Sequence, residues 1–98
     1  MAADWTYRGE YIVAKHEVTP AEADEALDDP SAVVFDPDYN TESGQSVRTI
    51  GYSPSKGAVL TVITVQEEGS VYGASAWKSN SRDRRYYRQG GPDEQEES

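Results

Sequence analysis

A chain of 98 residues with 18 acidic side chains against 9 basic ones, one histidine and no cysteine has a formal charge of −9 and room for a single small domain. Without cysteine there is no disulfide framework, no thiolate chemistry and no zinc site of the usual Cys/His kind. No apolar run approaches the roughly 18–20 residues of a membrane span, and Met1-Ala2-Ala3-Asp4 lacks the basic-then-apolar pattern of a signal peptide, so a cytoplasmic protein without membrane contact is expected.

Trp5, Gly9, Ile12, Val13 and His16 recur at helical spacing and predict a helix over residues 4–16. Thr19-Pro20-Ala21-Glu22 reads as a capping box with proline at the first helical position, opening a second helix over 20–28 with Ala23, Ala26 and Leu27 inward. Asp28-Asp29-Pro30 ends it, because proline cannot continue a helix and its predecessor avoids helical geometry. The period then changes. Four short β-favouring segments, 32–35, 47–52, 58–65 and 71–77, alternate with turns at 36–38, 53–57 and 67–69, and predict an antiparallel meander. Gly73 loosens the last strand. Asn80 is a helix cap with Asp83 three residues on, and Gly90 is a stop, which places a third helix over 81–89. The expectation is one α+β domain over residues 1–89, in the order α-α-β-β-β-β-α, with the helices on one sheet face and a disordered acidic tail over 90–98.

The charge is not evenly spread. Residues 17–42 hold nine acids and no base, whereas Lys78, Arg82, Arg84, Arg85 and Arg88 face only Asp83, leaving +4 across eleven residues. A negative total therefore does not exclude phosphate binding at the third helix.

The order of elements resembles the BrnT family of bacterial toxins, small ribonucleases of RelE-like fold encoded beside their antitoxins. The pieces that carry it are Lys15-His16, Val18-Thr19-Pro20-Ala21-Glu22-Ala23, Asp29-Pro30, Val33-Val34-Phe35-Asp36-Pro37-Asp38 and Arg48-Thr49-Ile50-Gly51-Tyr52-Ser53. Val59 to Thr64, Ser75-Ala76, Lys78, Arg82-Asp83-Arg84-Arg85 and Tyr87 complete it, so that nearly all of residues 5–88 is covered, in the manner of an actinobacterial-type branch with longer β-turns. Glu17 stands where members usually have glycine, and Trp77 where many have arginine. The resemblance implies a toxin that inhibits translation by cutting RNA, with a cognate antitoxin as protein partner and no DNA recognition by this chain alone. No cofactor or metal is expected.

Metal-free RNA cleavage needs a proton acceptor for the 2′-hydroxyl, a donor for the leaving oxygen, and positive charge on the phosphorane. The candidates for catalysis are His16, Lys78, Arg82 and Arg85; those for RNA binding are Arg48, Trp77, Arg84, Tyr86, Tyr87 and Arg88. Each has a structural alternative. The helix 3 arginines either bind phosphate or pair with the acids of 17–42. Tyr86 and Tyr87 either stack bases or pack on the sheet, and His16 either transfers protons or caps its helix. Arg48 points into a cleft or to solvent. The acidic run is a solvated face or an antitoxin contact. The alternative to a ribonuclease is a non-catalytic module of the same fold that binds an antitoxin-like partner.

Overall fold

A computed structural model describes residues 2–91; of the expected tail, residues 92–98 lie outside the described residues. The element order is α1 (Gly9–His16), α2 (Pro20–Asp28), β1 (Val33–Phe35), β2 (Ser46–Ser53), β3 (Ala58–Glu67), β4 (Ser70–Lys78) and α3 (Ser81–Gln89). The four strands form one sheet in the order β1-β2-β3-β4, every neighbouring pair antiparallel. This is the α+β fold expected, built as a meander.

The caps follow the sequence. Thr19 accepts from the Glu22 N–H while Glu22 accepts from the Thr19 N–H, so the capping box is closed at the start of α2. Asn80 accepts from the Asp83 N–H at the start of α3, and Gly90 ends that helix in the left-handed conformation.

The first helix is shorter than its apolar spacing predicts. Residues before Gly9 are drawn instead to the edge of β4: the Asp4 N–H donates to the Val71 carbonyl and the Gly73 N–H to the Asp4 carbonyl, each at 2.8 Å. The cause is Trp5, whose ring lies on Gly73; a Cβ there would come within 2.4 Å of it. The Trp5 indole N–H is satisfied by Asp24 of α2 at 3.0 Å. Gly73 therefore seats an aromatic ring, beside a β-bulge at which Ala74 is the extra residue of β4.

The helices do not share one sheet face, as the sequence reading had them. Leu60 and Val62 of β3 and Ala76 of β4 pack with Ile12, Val18, Ala23 and Ala26 of the α1–α2 side, with half-buried Leu27 against them. Thr61, between Leu60 and Val62, faces the other way and accepts the company of α3 by donating to Asp83. Ile50, its cross-strand partner, and Val33, the partner of Ile50, are buried on that second face. A meander with both faces apolar needs covers on both sides, and strand alternation alone does not assign a helix to either. Among the described residues no helix is long and apolar enough to cross a membrane.

Two layers meet closely at Gly51, where α2 lies on β2. A Cβ at this position would sit 2.1 Å from the Ala26 carbonyl oxygen, which is backbone and cannot swing aside. Gly51→Ala is expected to cost about 3 kcal/mol, the upper end for overpacking, and to lower the melting temperature by roughly 10–20 °C, as followed by circular dichroism.

Candidate nucleic-acid interface

Arg48, on the central strand β2, enters the α3 face of the sheet and is only 4% exposed. Its Nε donates to Asp38 at 2.7 Å, and its Nη1 donates to Asp83 at 2.6 Å and to the Tyr39 hydroxyl at 2.9 Å. Asp83, fully buried in the first turn of α3, also accepts from Tyr39 and from Thr61, whose hydroxyl is in turn paired with Ser79. Burial alone would make the guanidinium easier to deprotonate, but the bond to Asp38 and the charge of Asp83 outweigh it and hold Arg48 more firmly protonated than usual. The sequence offers Arg48 as an RNA contact; in the fold its charge is instead spent on Asp38 and Asp83. The sequence by itself does not point to Asp38 or Tyr39 as partners of Arg48, and for Asp83 the one signal is an acid amid the basic run of helix 3.

Three of the remaining candidates converge. His16 at the end of α1, with Trp77 and Lys78 at the end of β4, lines a cleft of about 310 Å³ together with Lys15, Glu17 and Lys56. The His16 ring lies 5.7 Å from that of Trp77, at an interplanar angle of 48°, and meets Tyr11 edge-on at 5.9 Å. Lys15 and Lys56 add cations that come from separate elements and were not anticipated. A larger cavity, about 470 Å³ and lined by Tyr7, Arg8, Glu67, Glu68 and Tyr72 among others, opens at the opposite end of β4 and holds none of the candidate residues.

From this cleft a ladder of alternating rings and cations runs toward α3. Trp77 lies 5.6 Å from the Arg48 guanidinium, which lies 4.3 Å from the Tyr39 ring; Arg82 sits 4.6 Å from the same ring. Tyr86 joins its far end, packed on Phe35 and Tyr39 with centroids 5.3 and 6.1 Å away, and Arg85 lies 5.6 Å from the Tyr86 ring. Arg82 and Arg85 are exposed, while Tyr86 is half-buried. The sequence-level arc of Arg82, Arg85 and Tyr86 is thus one side of α3, as its helical spacing requires.

Tyr87, Arg84 and Arg88 do not join the ladder. Tyr87 donates to Asp29 at 2.5 Å, on the side of α3 that meets the end of α2. Arg84 donates to the Ser79 carbonyl at 2.7 Å and to Ser81 at 3.2 Å. Arg88 occupies the last turn of α3, where a cation suits the helix dipole. Nor is the acidic run simply a solvated face: Asp24, Glu25, Asp29 and Asp38 all accept internal hydrogen bonds.

The arrangement offers three lysines, an indole ring and one imidazole around an open cleft, a combination that suits a phosphate with an adjoining unpaired base. No protein-family model matches the chain, and a search of curated proteins returns no match.

Two phenols report on the integrity of this face. Tyr39 is pushed up to about 12, chiefly by burial and then by its bond to Asp83; Tyr87 is pushed up to about 12, chiefly by its bond to Asp29. In Asp29, the bonds from Tyr87, Tyr52 and Ser31 together outweigh burial, the largest single influence, and lower its value. A raised phenol pKa gives stability that is complete below the unfolded value of 10.0 and is lost as pH rises through about 12. Tyr87→Phe should therefore cost about 1 kcal/mol at neutral pH, and denaturant titrations of the variant should show a shallower loss of stability between pH 10 and 12 than the parent.

Proposed function

We propose that this protein is an endoribonuclease toxin of BrnT-like, RelE-like character, which slows translation by metal-independent RNA cleavage in the cytoplasm and is neutralised by a cognate antitoxin. The observation that supports this reading best is the convergence of His16, Trp77 and Lys78 with Lys15 and Lys56 around one open cleft. Cations drawn from α1, the β2–β3 turn and β4 meet there despite a chain charge of −9.

A phosphodiester in the cleft lies among Lys15, Lys56 and Lys78, and one flanking base stacks on the exposed part of Trp77. His16 takes the 2′-hydroxyl proton. The 2′-oxygen then attacks phosphorus, the phosphorus–5′-oxygen bond breaks, and the departing oxygen takes a proton from water while His16 returns its own to solvent, leaving a 2′,3′-cyclic phosphate and a 5′-hydroxyl. The lysines stabilise the charge that grows on the equatorial oxygens. Arg82 and Arg85, along the ladder, hold the strand beyond the cleft.

A second reading draws on the fate of Arg48, Arg84 and Tyr87, which spend their polar groups on internal bonds. It holds that the fold serves as a non-catalytic module for an antitoxin-like partner. Incubation of purified protein with RNA, alone and with translating ribosomes, separates the two. Cleavage is expected, with His16→Ala slowing it by about 10²-fold or more and Lys78→Ala plus Arg82→Ala weakening RNA binding more steeply at low salt. Folded protein that leaves RNA intact in both settings, with growth arrest that survives all of these changes, would favour the interaction module.

A further inference from the structure

The residue that follows His16 is held in an unusual way. Glu17 has φ 58° and ψ 33°, the left-handed region, where a side chain crowds its own backbone and a residue other than glycine persists only if its surroundings fix it. From within α1 the Glu17 N–H donates to the Val13 carbonyl at 3.1 Å. From outside, Lys56 donates its ammonium to the Glu17 carbonyl. That carbonyl lies at the C-terminal end of α1, where a cation is also favoured by the helix dipole.

Lys56 is itself well anchored. Its turn is tied to α2 through Glu25, which accepts from Ser53 Oγ at 2.7 Å and from the Ser55 N–H and Oγ at 2.9 and 2.6 Å. Within the turn, the Lys56 N–H donates to Ser53 Oγ at 3.2 Å and the Gly57 N–H to the Ser53 carbonyl at 2.8 Å. The Glu25 carboxyl is lowered from its usual value, first by the Ser55 hydroxyl, so it stays an acceptor at neutral pH. A continuous set of bonds therefore runs from α2 through the turn to the backbone beside His16.

We propose that Lys56 is a positioning residue: by pinning the Glu17 carbonyl it fixes the end of α1 and so keeps the His16 ring against Trp77. Its catalytic meaning rests on the reading of His16 as the proton-transfer group; its structural content does not. The left-handed Glu17 makes the clamp necessary. Glycine at that position would hold the same conformation at little cost and make the clamp redundant.

His16 is the single histidine of the chain, so its imidazole proton resonances are unambiguous, and the ring current of Trp77 displaces them. Lys56→Met is expected to move these resonances most of the way to their positions in Trp77→Leu, with the methyl resonances of Ile12, Leu60 and Val62 unchanged. Lys56→Arg should leave them in place. In the Glu17→Gly background, Lys56→Met should move them far less. Imidazole resonances that stay put in Lys56→Met, or move equally in both backgrounds, overturn the proposal. Cleavage assays on the same variants separate it from the ribonuclease reading. Loss of about 10²-fold on Lys56→Met, recovered more fully in the Glu17→Gly than in the Glu17→Gln background, supports both, because glutamine removes the same negative charge from the cleft without relieving the left-handed backbone. Expected imidazole shifts in a protein that leaves RNA intact support the clamp and remove the catalytic role.

Discussion

Burying the Arg48 guanidinium is the constraint on which the rest of this face depends. A cation at 4% exposure is tolerated only when its charge and its donors are met, and here two carboxylates and a phenol meet them. Those partners come from different places: Asp38 and Tyr39 from the β1–β2 loop and Asp83 from α3, with Thr61 of β3 completing the shell of Asp83. Two carboxylates against one guanidinium leave an excess negative charge, and hydroxyl donors from Tyr39 and Thr61 absorb it. The network thus fixes where α3 lies on the sheet. It also sets the Tyr39 ring between Arg48 and Arg82, so the surface ladder is a consequence of the buried one.

The acidic run gains a similar reading. Asp24 holds the Trp5 indole and the Ala3 N–H, Glu25 holds the β2–β3 turn, Asp29 joins α2 to β2 and α3, and Asp38 holds Arg48. A domain this small has few apolar groups to bury: one face of the sheet rests on Ile12, Val18, Leu60 and Val62 with three alanines and a tryptophan. Carboxylates that accept several bonds at the joints between elements supply part of the missing fixation, each such charge-assisted bond being worth more than a neutral one. Their concentration in residues 17–42 reflects that the end of α2 meets β2 and α3, and that the loop after β1 meets the same two elements.

Most of the element order was legible because it is written in local chemistry: the capping box at Thr19, the cap at Asn80, the stop at Gly90 and the strand-favouring runs each act within a few residues. What was illegible depends on partners distant in sequence. Trp5 keeps helical spacing with Ile12, yet its ring is claimed by Gly73, 68 positions away, and the first turn of the predicted helix yields to a β-bridge. Arg48 alternates like any strand residue, and nothing near it in sequence announces that Asp83 will neutralise it. Of the cleft, His16, Trp77 and Lys78 were visible as residue types suited to RNA. Lys15 and Lys56 were not, since only the packing of α1 against the β4 edge and the reach of the β2–β3 turn bring them together.

Charge counted along the chain and charge arranged in space consequently point to different places. The count puts the positive centre on α3 and the strand end before it, where five bases face one acid between residues 78 and 88. In the fold that acid is buried with Arg48, Arg84 folds back on the Ser79 carbonyl, and Lys78 faces the cleft at the end of α1 rather than the arginines that follow it. Three lysines, each from a different element, then surround an imidazole and an indole, with Glu17 as the one acid in the lining. Converging single charges on separate elements can shift with their elements, whereas a helix presents its charges in a fixed row. Placing the cations this way makes the geometry of the cleft depend on how α1 ends, which is why the conformation of one residue, Glu17, matters to the whole site.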